Sequence, residues 1–198
     1  MIMVAPGMLR EAFRYMVSNY HQGNFHDEQL GPAMRSFVGH ARRVRGTEFN
    51  VAVHDRLKAL GWQVEPEIKL TKLLRKNLGT KDWGDIDVLT WHTVTKRILV
   101  IECKDVYFGK TYGEIAEQLS DFRGEVQSNG KADMLKKHLD RVAIVRAEFA
   151  ATREYVRMPD ASMIESHLVF KNPVPMQYAA HNIAKQVHVS LYDDLARI

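Results

Sequence analysis

The chain has 198 residues, 45% of them hydrophobic, which suits one domain with additions around a sizeable core. No apolar run approaches the roughly 20 residues of a membrane-spanning helix, and residues 1–10 lack the features of a signal peptide, so we expect a cytoplasmic protein with no membrane partner. The single cysteine, Cys103, excludes an intrachain disulfide and a cysteine-based zinc site, while the net charge of +4 permits a nucleic-acid partner without requiring one.

Residues 1–45 are predicted to form a helical extension in front of the main domain. Apolar residues recur at helical spacing within residues 7–20 and again within residues 28–45, with a polar break at His21-Gln-Gly-Asn24. An extra packing layer, a contact with DNA and a dimer interface all remain open as roles for this extension. We place the main domain at residues 46–198.

The next predicted helix runs from Thr47 to Leu60, and Gly61-Trp-Gln-Val64 then leads into a strand. A basic segment from Leu70 to Lys81 follows and contains Lys72 and Arg75. We predict that these two side chains bind nucleic-acid phosphate. A solvated connector is the alternative interpretation of the segment.

Two strands, Trp83 to Thr90 and Arg97 to Asp105, are the most informative part of the sequence. Asp85 and Asp87 lie two residues apart on the first strand, as do Glu102 and Lys104 on the second, so each pair shares a strand face. Strand interiors are poor in aspartate, so two on one face require a reason.

The register of this hairpin decides which of these side chains meet. If the turn is centred between Val94 and Thr95, Asp87 lies opposite Glu102 and Asp85 lies opposite Lys104. The residues that then face the core are Ile86, Val88, Ile101 and Cys103. Three neighbouring carboxylates repel one another unless a cation lies among them, and a divalent metal ion is the simplest such cation.

Through Gly84-Asp-Ile-Asp87 and Ile101-Glu-Cys-Lys104, the chain resembles the PD-(D/E)xK nuclease superfamily, closest to its Mrr-like and RecB-like branches. The resemblance covers roughly Arg45 to Phe122 and, more loosely, the C-terminal third. It implies an α/β, restriction-endonuclease-like fold, with a three-layer core in which a central mixed β-sheet is flanked by helices. A second Glu-x-Lys triplet, Glu67-Ile-Lys69, has no acidic strand at hairpin distance upstream, so we leave it out of the site.

The resemblance implies a metal-dependent nuclease that hydrolyses phosphodiester bonds of DNA, with endonuclease action expected. Asp87, Glu102 and the backbone carbonyl of Cys103 are expected to bind Mg²⁺ or Mn²⁺, which prefer oxygen ligands. The nine histidines are scattered and give no zinc-ligand pair on a helix face. Lys104 is expected to orient or deprotonate the attacking water, and Asp85 to be a reserve ligand or an acceptor for Lys104.

A second interpretation of the same fold remains open. Many members of the superfamily carry a metal-supporting glutamate on the helix before the hairpin, where this chain has Asn50. That departure favours a catalytically inactive nucleic-acid-binding or assembly module. The presence of Asp87, Glu102 and Lys104 favours the enzyme.

Two further residues after the hairpin are predicted to contact DNA. Lys110 lies in the aromatic segment Tyr107 to Gly113, where bases could stack. Gln118 lies in a helix that begins near Thr111, in a sequence that resembles the Gln-x-x-x-Tyr element of RecB-like nucleases. The alternative for Gln118 is a polar residue at the boundary of an apolar stripe.

The rest of the chain alternates helices and strands. A long helix is predicted to follow the break at 128–130 and to end near Tyr155, with basic side chains on its outer face: Lys131, Lys136, Lys137, Arg141, Arg146 and Arg153. A strand from Met163 to Phe170, a short helix to about Lys185, a strand from Val187 and a last helix complete the chain and imply a mixed sheet. DNA is the predicted partner, and a homodimer or association with a larger DNA-processing or defence complex remains open.

Overall fold

The chain forms two structural units, Met1–Glu48 and Phe49–Ile198. The computed structural model describes residues 5–22, 30–109, 111–179 and 187–198. The first unit contains α1, Pro6–Gln22, and the beginning of α2, Pro32–Ala59. Within it the ring of Tyr20 stacks on that of Phe37, with centroids 4.3 Å apart.

Helix α2 is one continuous helix where the sequence predicted two. Residues 28–45 and Thr47 to Leu60 were expected to be separate, but α2 runs through Gly46. A glycine inside a helix costs only about 1 kcal/mol relative to alanine. The burial of Phe49, Val53 and Leu57 outweighs that cost. The predicted boundary between residues 45 and 46 lies inside α2, and the division of the chain into domains stays a prediction.

Within the described residues of the second unit, five strands form one mixed sheet in the order β1 to β5. The strands are β1 Gln63–Lys69, β2 Asp85–His92, β3 Arg97–Lys104, β4 Met163–Phe170 and β5 His188–Leu191. The first three strands pair antiparallel, β4 pairs parallel with β3, and β5 pairs parallel with β4. The predicted α/β class with a mixed sheet flanked by helices is confirmed.

The central strand β3 shows how the sheet is covered on both faces. Ile98 and Val100 are buried against helices α3, α5 and α6, whose ranges are Leu70–Leu74, Met134–Ala147 and Phe149–Tyr155. Leu99 and Ile101 point the other way and pack against α2 and the 3₁₀ helix Tyr192–Arg197. A strand buried on both faces reads as a continuous apolar run, which is what residues 98–101 are.

The hairpin register assumed from the sequence is confirmed. Val88 pairs with Ile101 and His92 pairs with Arg97, which centres the turn between residues 94 and 95. The paired ladder between β2 and β3 ends at Val88 and Ile101, one residue before Asp87 and Glu102. Val88, Ile101 and Cys103 are buried on the face that α2 covers, as predicted. Ile86, beyond the end of the β2–β3 ladder, is buried with Ile68 on the opposite face.

Side-chain caps explain where the helices beside the sheet begin. Helix α4, Tyr112–Ser120, starts at a capping box in which the Thr111 hydroxyl accepts from the Glu114 N–H and the Glu114 carboxylate accepts from the Thr111 N–H. Helix α5 is capped by Asp133. The predicted long helix therefore begins later than expected, at Met134, and Glu148 divides it into α5 and α6.

Part of the predicted basic loop is the short helix α3, and the helix predicted to end near Lys185 falls mostly on residues 180–186, outside the described residues. None of the described helices is both long enough and apolar enough to cross a membrane.

Candidate functional site

The candidate site lies where β2 and β3 separate. Oδ2 of Asp87 accepts a hydrogen bond of 2.8 Å from the Cys103 N–H, in place of the ladder bonds that stop one residue earlier. The N–H and C=O of one residue in a strand point to the same neighbour. The backbone carbonyl of Cys103 therefore also faces the Asp87 side, as its predicted role as a ligand requires.

Glu102 and Lys104 are brought together on the face of the sheet that α5 covers. Nζ of Lys104 lies 2.7 Å from Oε1 of Glu102, which is only 5% exposed. Burial alone would raise the pKa of Glu102, but the positive charges of Lys104 and Arg141 outweigh that effect and lower the pKa. Burial would likewise lower the pKa of Lys104, yet Glu102 and Asp87 raise it. Both groups are therefore charged at neutral pH.

Arg141 of α5 completes this group, and its predicted position on the outer basic face is wrong. It is 8% exposed, its Nη2 donates to Oε2 of Glu102, and its Nη1 donates to the Asp85 carbonyl at 2.6 Å. At about 100° per residue, Arg141 lies beside the apolar stripe of α5 that includes Val142. The flank of an amphipathic stripe can face inward, and here it meets a buried carboxylate.

His138 lies one turn before Arg141 and is also buried. Its Nε2 lies 2.9 Å from Oγ of Ser166 and its Nδ1 lies 3.7 Å from Oε2 of Glu102. Burial lowers the pKa of His138 to about 4, so the ring is neutral at pH 7. A histidine in the apolar stripe of a helix was the available sequence signal for this residue, and it was missed.

We call Asp87, Glu102, Lys104, His138 and Arg141 the Glu102 cluster. Burial, and then the charge of Glu102, raise the pKa of Asp87 to about 6, against the opposing effects of Lys104, the Cys103 N–H and Arg141. Lys104 and Arg141 thus offset the cost of burying the charge of Glu102 fully and that of Asp87 incompletely. A bound cation next to Asp87 would relieve that remaining cost.

The donor atoms of the cluster fit a hard divalent ion. Two carboxylates and the Cys103 carbonyl are oxygen ligands of the kind that Mg²⁺ and Mn²⁺ take. Lys104 and Arg141 contact the two oxygens of Glu102, so an ion would share or displace one of these contacts. Asp85 is exposed at the start of β2 and gives its backbone carbonyl to Arg141, and its role as a reserve ligand stays a prediction.

The residues predicted to contact nucleic acid lie in different surroundings. Lys72 and Arg75 are exposed and contact carboxylates, with Nζ of Lys72 2.7 Å from Glu65 and Nη1 of Arg75 3.2 Å from Glu154. Gln118 is buried, and its Nε2 donates to the Tyr107 carbonyl at 2.7 Å, which fixes the segment after β3. Lys110 lies outside the described residues.

Comparison with known proteins gives a family but no individual relative. No curated protein and no solved structure gives a significant match. The model of one family, described as "Anti-phage protein Upx-like", matches residues 1–196, which include every residue of the Glu102 cluster. That description indicates a role in defence against phage. The chain belongs to the Upx-like family of anti-phage proteins.

Proposed function

We propose that this protein is a metal-dependent nuclease that cuts phosphodiester bonds of DNA in defence against phage. The observation that carries the proposal is the convergence of Asp87, Glu102 and Lys104 where the β2–β3 ladder ends. Two acids and a lysine on a diverging hairpin, followed by two parallel strands, are compatible with the restriction-endonuclease-like fold that the sequence motif implies. The family supplies the biological role.

Asp87, Glu102 and the Cys103 carbonyl would hold Mg²⁺ or Mn²⁺. Bound there, the ion would supply Lewis-acid activation of the phosphate and a bound water of lowered pKa. Asp87 is the ligand that gains most, because its charge is the one that the protein stabilises least. Glu102 is held ionised and ready to coordinate.

Lys104 acts as a cation in this proposal. Its pKa is raised by Glu102 and Asp87 despite burial, so it carries a proton at neutral pH. A protonated lysine suits the orientation of the attacking water and the stabilisation of negative charge that develops on the phosphate. Removal of the proton from the water is then left to a solvent molecule or a phosphate oxygen.

Arg141 is a positioning residue for Glu102. Its guanidinium contacts the carboxylate through Nη2 and the Asp85 carbonyl through Nη1, so it ties the end of β3 to the start of β2. Because Nη1 is held by a backbone carbonyl, Nη2 gives Glu102 a charged hydrogen bond from a fixed position.

The alternative, a catalytically inactive nucleic-acid-binding or assembly module, also has a specific observation in its favour. Lys104 and Arg141 already balance the charge of Glu102 without a metal ion. Asn50 is half-buried on α2, in place of the glutamate of many PD-(D/E)xK nucleases. Under this alternative the protein binds nucleic acid and does not cut it.

A cleavage assay separates the two functions. Purified protein is incubated with supercoiled plasmid, linear duplex, single-stranded DNA and RNA, in Mg²⁺, Mn²⁺, Ca²⁺ or EDTA. We expect cleavage of DNA in Mg²⁺ or Mn²⁺, binding with little turnover in Ca²⁺, and no cleavage in EDTA. Binding without cleavage under every metal condition supports the alternative, and no binding at low salt rejects both.

Phage infection of cells that produce the protein gives a second readout. The variant Glu102→Ala should lose protection against phage together with nuclease activity, while Glu67→Ala, which alters the other Glu-x-Lys triplet, should keep both. Protection that survives in a folded Glu102→Ala protein would separate defence from cleavage.

A further inference from the structure

A second polar cluster lies on the opposite face of the sheet from Glu102. Its members, which we call the Glu165 cluster, are Arg97, Glu165, His167 and His188. Glu102 lies opposite Leu168 in the β3–β4 ladder, so the alternating residues Glu165 and His167 point to the other face. His188 of β5 is the direct partner of His167. The sequence gives no zinc-ligand pair of histidines on a helix face, but strand pairing brings these two together.

The side chains of this cluster converge on one carboxylate oxygen. Nε2 of His167 lies 3.4 Å from Oε2 of Glu165, and Nε2 of His188 lies 4.0 Å from the same atom. The three side chains offer ligand atoms that all lie within 4.8 Å of one another. His167 is 3% exposed, whereas the side chain of His188 is 66% exposed, so the group opens to solvent on one side.

We propose that Glu165, His167 and His188 form a binding site for one zinc-like transition-metal ion. Ligands at about 2.0–2.2 Å in tetrahedral geometry are separated from each other by about 3.4 Å. Nε2 of His167 and Oε2 of Glu165 are separated by this distance, 3.4 Å. It is longer than the usual range of about 2.7–3.2 Å for an N–H···O hydrogen bond. Nε2 of His188 lies 4.0 Å from the same oxygen, so this exposed side chain would have to move closer by roughly 0.6 Å.

The donor chemistry selects the class of metal. Two imidazoles and one carboxylate suit Zn²⁺ and its neighbours, whereas Mg²⁺ prefers an all-oxygen shell. Three protein ligands leave a fourth position for water, on the side where His188 is exposed. The two imidazole rings are stacked, with centroids 4.8 Å apart and an interplanar angle of 28°.

Arg97 prepares the carboxylate for this role. Its Nε lies 2.6 Å from Oε1 of Glu165 and its Nη2 lies 2.7 Å from Oε2, which fixes the orientation of the carboxylate and lowers the pKa of Glu165 to about 2. Each carboxylate oxygen has two lone pairs, so Oε2 can accept from Arg97 and still coordinate an ion. Burial lowers the pKa of His167, which leaves its imidazole neutral at pH 7.

The surroundings of His167 limit the metal affinity that we expect. Nδ1 of His167 is buried and has no hydrogen-bond partner among the described residues. Metal-binding histidines usually donate this second N–H to an acceptor, and loss of such a partner lowers affinity by about 10–100-fold. We therefore expect a site weaker than a closed structural zinc site.

An ion here would join β4 to β5, the last strand of the sheet. Strand β5 has only four residues, and a metal bond across the ladder at His167 and His188 would fix it to the sheet. Since the ion binds only the folded chain, it should also raise the melting temperature.

The test uses the full chain, without a polyhistidine tag and stripped of metal, with Asp87→Asn present so that the Glu102 cluster does not compete. Zn²⁺ is titrated calorimetrically in excess Mg²⁺, and Co²⁺ serves as an optical probe because tetrahedral Co²⁺ absorbs strongly in the visible. We expect one ion per chain, a tetrahedral Co²⁺ spectrum and a higher melting temperature in Zn²⁺.

The variant His188→Ala should weaken binding by more than about 100-fold, beyond the effect of losing an outer partner. It should also abolish the Co²⁺ spectrum and the thermal shift. His188 is exposed, so its replacement leaves the core intact. His40→Ala, which removes another exposed histidine, is the matched control and should bind as the parent does. Equal Zn²⁺ binding by the His188→Ala protein, or no binding by the parent, would overturn the proposal.

Discussion

The two Glu-x-Lys triplets of this chain contain the same residue types at the same spacing in different surroundings. Glu102 and Lys104 end β3, the central strand, where Glu102 is buried beside Arg141 and His138. Glu67-Ile-Lys69 ends β1, an edge strand, and its two charged side chains are exposed.

The difference teaches that burial and neighbours, rather than spacing, make a site. Charges interact strongly where water is excluded and weakly where it is not. Charged residues on an edge strand such as β1 also discourage unwanted pairing with other chains. Variants at the Glu102 cluster or directly beside it, each paired with a matched variant elsewhere in the chain, test this difference.

The largest expected difference is in catalysis. Glu102→Ala should lower the rate of DNA cleavage in Mg²⁺ by about 10²–10⁴-fold, because a positioned ligand is lost, and Glu67→Ala should leave the rate unchanged. Single-turnover cleavage of a labelled duplex measures both. Equal rates in the two folded variants would remove the distinction between the triplets.

The free energy of unfolding should separate the surroundings of the two triplets almost as clearly. Arg141→Ala leaves Glu102 buried with one cation fewer and should lower the free energy of unfolding by about 3–5 kcal/mol. Lys69→Ala should change it by no more than about 0.5 kcal/mol, because Lys69 is an exposed surface residue. Urea denaturation provides the measurement. In the double variant Arg141→Ala/Glu102→Ala, the loss should be smaller than the sum of the two single losses, and simple additivity would contradict the pairing.

The pH dependence of stability tests the charge of Asp87. Its pKa is raised from 3.8 to about 6 in the folded protein, so its ionisation destabilises the fold as pH rises from about 4 to 6. In EDTA above pH 7, Asp87→Asn should be more stable than the parent by up to about 3 kcal/mol. Asp85→Asn, on the exposed start of the same strand, is the control and should have little effect. Saturating Mg²⁺ should reduce the advantage of the Asp87→Asn protein, and a parent that is the more stable protein in EDTA would contradict the prediction.

The smallest effect concerns a glycine beside Arg141. Gly84 and Gly79 both have positive φ, +72° and +86°, so alanine costs each about 1–2 kcal/mol of backbone strain. A Cβ on Gly84 would lie 3.2 Å from Nη1 of Arg141, and one on Gly79 would meet nothing within 4 Å. Gly84→Ala should therefore cost about 1 kcal/mol more than Gly79→Ala. Thermal melts of both variants would show whether the contact matters.

The parts of the fold that the sequence predicted are those with local patterns. The β2–β3 register followed from the short turn, and β4 was predicted with its observed bounds, Met163–Phe170, a segment rich in apolar residues that ends at the polar pair Lys171-Asn172. Gly46 misled us because a single glycine is a weak helix breaker when the helix around it is packed.

The parts that the sequence did not predict depend on contacts between distant segments. Arg141 reaches Glu102 across 39 positions of sequence, and whether the flank of α5 faces inward depends on how the helix packs on the sheet. His167 and His188 meet only because β4 and β5 pair parallel in one register. Periodicity reports which residues share a face of one element, and it cannot report which face of another element they will meet.

The hydrogen bond from Cys103 N–H to Asp87 gives the protein a spectroscopic reporter at its candidate site. The chemical shift and the exchange rate of that single amide depend on the charge and position of the carboxylate that accepts from it. A selectively ¹⁵N-labelled cysteine, the one cysteine in the chain, would give one resonance without assignment of the rest of the spectrum. Titration of Asp87, arrival of a divalent ion and approach of nucleic acid could each be followed at that resonance, in a protein that has not been altered.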